Sequence, residues 1–337
     1  MFYRKLDSLR IECGTCHKKC QVADGKRGYC GNKENRGGKY YTLVYNKICA
    51  AHTDPIEKKP LFHYLPGSLA FSIAAAGCNF SCKFCQNWEI SQARPEDIPH
   101  ESLTPERAIA ICQGRSISTI AYTYSEPTVF YTYMYDMSKA ARQAGIGSVM
   151  ISNGFMNEKP LRELCAHLTA VKIDLKSFSD TFYRDMCSGE LEPVLATLKT
   201  LKAIGIWFEI VVLLIPTLND SPDEIKKMCA WVKTNLGPDV PIHFSRFRPM
   251  YHIQNLPPTP VKTLEAAREI ALASGLHFPY IGNVPGHEGE NTRCPSCKKT
   301  IIRRVGYAIE ENVITKGKCA LCGCPIPGVW SHEAVLL

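Results

Sequence analysis

Cys78, Cys82 and Cys85 stand in one short stretch, Gly77-Cys78-Asn79-Phe80-Ser81-Cys82-Lys83-Phe84-Cys85-Gln86-Asn87, with the spacing Cys-x3-Cys-x2-Cys. Cysteine thiolates hold iron–sulfur clusters, and a cubane normally takes four of them. Three thiols in one loop can bind three irons and leave the fourth open to a ligand that is not protein. An open position is what a catalytic metal centre needs and a structural one avoids. The competing readings are a zinc knuckle short of one ligand and three core thiols. The apolar run Leu69–Ala76 before the loop reads as a buried strand and favours the cluster.

Two further thiol sets flank this loop. Cys13-x2-Cys16-x3-Cys20-x9-Cys30 puts four thiols among the turn-formers Gly14, Asp24, Gly25, Gly28 and Gly31. A segment this small has too little core to fold alone and calls for a metal staple. The spacing differs from the Cys-x2-Cys-x2-Cys-x3-Cys of bacterial ferredoxins, and His17 is a substitute ligand. Zinc and a second iron–sulfur cluster both stay open, with zinc slightly favoured. At the other end, Cys294-x2-Cys297-x21-Cys319-x2-Cys322 is close to zinc-ribbon spacing and reads as structural zinc. Cys324 is a fifth thiol nearby. Ile301–Tyr307 and Asn312–Ile314 read as the strands between the pairs.

The elements that must position the central thiols alternate. Between residues 69 and about 286, strands are expected over 69–76, 118–124, 148–152, 170–175, 207–215 and 241–245. Helices are expected over 104–114, 127–144, 158–167, 191–204, 221–236 and 260–275. Thr104-Pro105-Glu106 and Ser221-Pro222-Asp223-Glu224 are helix starts, and Gly145 and Gly205 are stops. Such alternation argues for βα units and a parallel sheet. Tyr40–Tyr45 reads as a further strand. His52–His63, with two prolines and mixed charge, reads as an ordered connector, with a place near the cluster as a second reading because the strand into that loop starts soon after. In barrels, functional residues collect at the C-terminal ends of strands. Those ends carry Ser125 and Glu126, Ser152 and Asn153, Asp174 and Lys176, and then His243 and Arg246. Period-2 alternation puts Asp174 and Lys176 on one face.

With Phe84 as its aromatic, the central loop resembles the Cys-x3-Cys-x-aromatic-Cys motif of radical S-adenosylmethionine (SAM) enzymes. The resemblance implies a 4Fe–4S cluster on Cys78, Cys82 and Cys85 whose open iron binds the amino and carboxylate groups of SAM. One electron then breaks a carbon–sulfur bond, giving methionine and a 5′-deoxyadenosyl radical that abstracts hydrogen from a substrate. Tyr124-Ser125-Glu126-Pro127 resembles that family's Gly-Gly-Glu-Pro, with Ser125 replacing a glycine and Glu126 near the SAM amino group. Ser152-Asn153-Gly154 is similar to the Thr-Asn-Gly of glycyl-radical activating enzymes. Ile151 replaces the acid of their monovalent-cation site. Asp174-Leu175-Lys176 matches their Asp-Leu-Lys, in which the lysine meets the SAM carboxylate. His243 or Arg246 falls where a residue covers the methionine end, and 210–215 where apolar side chains line the adenine site. Phe84 and Asn87 complete the implied SAM contacts.

The likeness extends along the chain, through Lys26–Gly31, Asp54–His63, Cys85–Gln92 and Pro325–Trp330, to the radical SAM enzyme of the AmmeMemoRadiSam system. That group is related to pyruvate formate-lyase activating enzymes. It implies an α/β fold, a partial (β/α)6 TIM-type barrel over 67–286. A Cys-rich metal-binding module lies at 1–66 and a zinc-ribbon-like module at 287–337. It also implies an external one-electron donor of ferredoxin or flavodoxin type, and Memo-like and AMMECR1-like partner proteins.

Composition fits this frame. The 337 residues are ordinary for a barrel with small additions, and 45% hydrophobic content allows a large core. The net charge of +8 is uneven: residues 1–69 hold 13 Lys and Arg against 6 Asp and Glu, and 291–337 hold 7 against 3. A zinc bound by four thiolates carries about −2, so these flanks read as compensation for metal sites rather than a nucleic-acid footprint. Seventeen cysteines with no visible signal peptide point to metal in a reducing cytoplasm. No stretch approaches the ~18 apolar residues of a membrane span. Three functions stay open: radical chemistry on a polypeptide, which the related activases favour; the same chemistry on a small metabolite; and a zinc-dependent nucleic-acid-binding protein with structural central thiols.

Overall fold

The computed structural model describes residues 2–333. At its centre is an eight-stranded sheet whose strand order follows the chain. The strands are β1 (Ala50–Pro55), β2 (Leu69–Ala74), β3 (Thr119–Tyr122), β4 (Gly147–Ser152), β5 (Ala170–Asp174), β6 (Trp207–Leu214), β7 (Ile242–Arg246) and β8 (Pro279–Gly282). From β2 to β8 every neighbouring pair is parallel. β1 lies antiparallel against β2.

Six helices connect the parallel strands: α1 (Pro105–Gly114), α2 (Tyr131–Gln143), α3 (Glu158–Cys165), α4 (Leu191–Ile204), α5 (Pro222–Leu236) and α6 (Val261–Ala273). The expected start signals act as caps. Thr104 and Ser221 accept from the backbone N–H groups of Arg107 and Glu224, each with proline at the first helical position. Gly205, at φ +81°, closes α4 in the left-handed conformation. Pro127–Phe130 forms a 3-10 turn before α2 rather than its first turn.

Alternation along the strands sorts the two faces of the sheet. Ile73, Tyr122, Met150, Ile173, Val212 and Phe244 pack with Met134, Leu161, Leu198, Val232 and Leu264 of the helices. On the other face, small residues Ala70, Ala121 and Ala170 make room for Ile56, Leu61, Tyr64 and Leu65. Tyr64 shares hydrogen bonds with Thr119 and Thr169 there, at 3.3 and 2.9 Å. The segment read as a connector is therefore structural. Its first part is strand β1, and the rest plugs one end of the inner face.

Before β1 lie a three-stranded antiparallel sheet (Tyr3–Lys5, Ile11–Cys13, Gln21–Val22) and the hairpin Lys33–Arg36/Lys39–Thr42. After β8, Thr300–Val305 pairs with Ala308–Asn312, and Ile314–Thr315 with Lys318–Cys319. The second hairpin strand thus starts at Ala308, ahead of the expected 312–314, because the chain reverses at Gly306-Tyr307.

Candidate active site and metal centres

The three-thiol loop begins where β2 ends. Gly77 has φ +94°, and a Cβ there would stand 2.7 Å from Asn32 Oδ1 and 2.9 Å from Cys30 O. Only glycine lets the loop press this closely on the N-terminal segment. Farther along, Ser81 N donates to Cys187 O at 3.0 Å and Lys83 N to Met186 O at 2.9 Å. Phe84 is buried against Phe182, and Asn87 Nδ2 donates to Tyr124 O at 2.8 Å.

Cys78, Cys82 and Cys85 line a cavity of about 470 Å³. Phe84, Asn87, Ser125, Glu126, Asn153, Asp174 and Lys176 line the same cavity, so the structure brings most of the expected site together. Glu126 accepts from Thr128 N at 3.0 Å and Ser152 Oγ at 2.7 Å through one oxygen, and from Asn153 N at 2.8 Å through the other. Burial pushes its carboxyl up, against these hydrogen bonds. Asn153 Nδ2 donates to Asn79 Oδ1 at 2.8 Å and lies 3.9 Å from Cys78 Sγ.

Three expected residues are not on the cavity wall. Ser152 lies behind it, bonded to Glu126. His243 is buried near the start of β7, where Nε2 meets Glu209 Oε2 at 2.7 Å. Arg246 Nε donates to Thr259 O at 2.8 Å. Along β7, Ser245 lines the cavity instead. It shares the inner face with His243 by period two but stands one step nearer the strand's C-terminal end.

Sequence reasoning missed Lys172, Tyr124 and Tyr307, all on the wall, and placed the segment of Lys58 and Lys59 near the cluster without naming either lysine as a site residue. Lys172 was legible, since it precedes Asp174 by two and pairs with it. Lys59 is bonded to Asp54 at 2.6 Å, and the Tyr124 hydroxyl also donates to Asp54. Tyr307 arrives from the C-terminal hairpin turn, and no local signal announces that.

The donor chemistry of the three thiols fits a cationic iron centre. Burial, then the charge of Glu126, pushes the Cys78 thiol well above its ordinary range, and burial pushes up Cys85. The hydrogen bond from Cys187, then burial's opposition and the charge of Lys176, sets Cys82 lower. Buried thiolates of this kind persist only when a bound cation compensates their charge.

The terminal thiol sets differ in spacing. The donor atoms of Cys294, Cys297, Cys319 and Cys322 all lie within 4.8 Å of one another, with two pairs at 3.6 and 3.9 Å. Cys324 stands outside that set, 3.5 Å from Pro325 O. Cys13, Cys16, Cys20 and Cys30 line one small cavity. His17 is not on that cavity's wall; its ring packs 5.4 Å from Phe155. Among the described residues no helix is long and apolar enough to cross a membrane.

Comparison with known proteins bears on the same loop. The radical SAM superfamily matches residues 72–232. An uncharacterized protein of Methanocaldococcus jannaschii is 46% identical over 326 residues, covering 96% of this chain and 97% of its own. The pyruvate formate-lyase-activating enzyme of Clostridium pasteurianum is 23% identical over 160 residues, 47% of this chain and 66% of that one. A radical SAM methyltransferase from Sphaerobacter thermophilus shares the fold at TM-score 0.51 and 14% identity, over 67% of this chain and 71% of that one. With its three-thiol loop on the first parallel strand inside the matched stretch, the chain belongs to the radical SAM superfamily.

Proposed function

We propose that this enzyme cleaves SAM reductively at a 4Fe–4S cluster held by Cys78, Cys82 and Cys85, within a partial (β/α)6 barrel, and acts on a protein or peptide. The observation that carries the reading is convergence: the three thiols share one cavity with Glu126, Asn153, Asp174 and Lys176. When bound, the cluster and SAM supply the one-electron bond cleavage and the hydrogen abstraction.

The chain's own residues orient and exclude. Lys176 donates to the SAM carboxylate in a charge-assisted bond, and Glu126 accepts from the amino group. Asn153 holds Asn79 and so steadies the loop beside Cys78. Fixing both ends of SAM aligns the bond to be broken before the electron arrives. Phe80, Phe84, Val211 and Leu213 give the cavity an apolar part that keeps water out.

A polypeptide substrate is supported by the rim. Trp88, next to cavity-lining Asn87, is exposed and stacks on Tyr251 with centroids 5.2 Å apart. Tyr307 is also exposed. Aromatic side chains of this kind anchor protein partners. The Clostridium relative is named for activating another enzyme. A second reading, a small anionic metabolite, is favoured by Lys58, Lys59 and Lys172 on the wall. In this proposal the C-terminal thiols hold zinc, the enzyme works in the cytoplasm, and a ferredoxin- or flavodoxin-type donor reduces it. Memo-like and AMMECR1-like proteins are the first partners to try. Each is incubated anaerobically with enzyme and SAM in deuterated form, and deuterium in 5′-deoxyadenosine is read by mass spectrometry. Transfer from a polypeptide supports the reading; transfer only from an acidic metabolite supports the second.

A further inference from the structure

We propose that an acidic one-electron carrier protein docks on a second groove beside the Cys78 loop, at Arg27, Tyr29 and Arg94, an inference that rests on the reductive SAM cleavage proposed above.

The groove has a volume of about 440 Å³. The N-terminal segment lines it through Arg27, Tyr29 and Cys30, and the three-thiol loop with its continuation lines it through Cys78, Ser81 and Arg94. It shares only Cys78 and Ser91 with the larger cavity. Glu126, Asn153, Asp174 and Lys176 line the larger cavity alone. Cys78 is therefore reached from two directions. A substrate must bring its C–H bond into the larger cavity, whereas an electron carrier needs only to come close to a cluster ligand. A carrier seated on the groove leaves the substrate's way in free.

Charge selects the partner. Among the described residues no carboxylate lines the groove. Arg27 is held by Glu34 at 3.3 Å and Glu96 at 2.6 Å. Arg94 is exposed and has no ion pair among the described residues. Gly31, at φ +75°, makes room for it: a Cβ there would collide with the Arg94 guanidinium. Lys18 adds a third cation, its ammonium 4.2 Å from the centre of the Tyr29 ring. The surrounding segment has the same sign, with 13 Lys and Arg against 6 Asp and Glu over residues 1–69. A positive face of this kind draws in an acidic partner and speeds its encounter.

Tyr29 supplies the anchor. It is exposed, and its hydroxyl shares a hydrogen bond of 2.7 Å with Ser81 Oγ. A contact made at the surface on this ring thus lies one hydrogen bond from the three-thiol loop. Exposed tyrosine and arginine are the side chains that carry protein contacts, and transient redox encounters need only a small interface. One electron leaves the carrier for the cluster; the carrier is oxidised by one electron, and no bond forms or breaks in that step.

The test uses the reconstituted enzyme and an acidic flavodoxin. Binding of the oxidised flavodoxin is measured by titration calorimetry at low and high salt, and wild type should bind it more weakly at high salt. Arg94→Glu should weaken binding about 10-fold or more. It should also slow SAM cleavage driven by flavodoxin that NADPH and a reductase keep reduced, while dithionite, which needs no docking, drives wild type and variant equally. Lys227→Glu makes the same charge change at an exposed position of α5 and should bind flavodoxin as wild type does. Equal binding by wild type and Arg94→Glu overturns the proposal, as does an equal loss in Lys227→Glu or no binding by wild type at low salt. Calorimetry decides this whether or not SAM is cleaved, and failure of the SAM reading would show separately in the dithionite arm.

Discussion

Lys176 Nζ lies 3.6 Å from Asp174 Oδ2, and both face the three-thiol cavity where the chain leaves β5. Burial works against charge on both, yet Lys172 and Lys176 outweigh it and hold the Asp174 carboxyl below its ordinary range. Asp174 and Cys82 likewise outweigh burial and hold the Lys176 ammonium well above its own. Lys176 is therefore held as a cation, which suits the SAM carboxylate contact proposed for it. Lys176→Met should weaken SAM binding to the reconstituted enzyme roughly 10- to 100-fold. Equilibrium binding measures it, and unchanged affinity would remove Lys176 from the site.

Cys82→Ala removes one of the three proposed cluster ligands and touches nothing in the C-terminal set. It should abolish SAM cleavage while the zinc proposed for the C-terminal thiols stays bound. Product analysis and metal counting on one sample check both halves. Retained cleavage would sink the assignment of the triad.

Lys59 has an unusual titration. Burial pushes its ammonium down to about 8, and the bond to Asp54 keeps it from falling further. Its folded value lies below the unfolded one, so the unfolded chain binds more protons between about pH 8 and the usual lysine range near 10.4. The burial cost is fully present below pH 8 and is relieved as pH rises through that window. Carbon-13 NMR of reductively methylated lysines should show one resonance titrating near pH 8. In Asp54→Asn it should titrate lower still; an upward move would contradict the pairing.

Arg304 ties the C-terminal segment to the plug under the sheet. It donates to Phe62 O at 2.9 Å, Thr292 Oγ1 at 2.8 Å and Glu290 O at 3.2 Å, with Glu57 at 4.0 Å. Arg304→Met should cost about 3–5 kcal/mol, because these buried acceptors and Glu57 lose their partner. Denaturant unfolding measures the loss, and adding Glu57→Gln should recover part of it.

The six βα units were legible because strands such as Ile210–Ile215 are apolar on both faces and the helices carry proline starts and glycine stops. β1 was not legible. It is an edge strand with His52 and Thr53 exposed, so polar residues and Pro55 masked it. β8 has four residues beginning with proline, too short for a periodicity to show. The thiols, Glu126, Asn153, Asp174 and Lys176 could be read because each sits at a strand's C-terminal end. His243 misled for the complementary reason. It shares a face with Ser245, and only depth along the strand, invisible in sequence, puts it with Glu209 instead of in the cavity.

SAM cleavage is proposed to take place at the Cys78–Cys82–Cys85 centre. The enzyme is reconstituted anaerobically with iron and sulfide, reduced with dithionite and given SAM, and 5′-deoxyadenosine is quantified against bound iron. Deoxyadenosine should scale with cluster loading. A fully loaded cluster that yields none would contradict it.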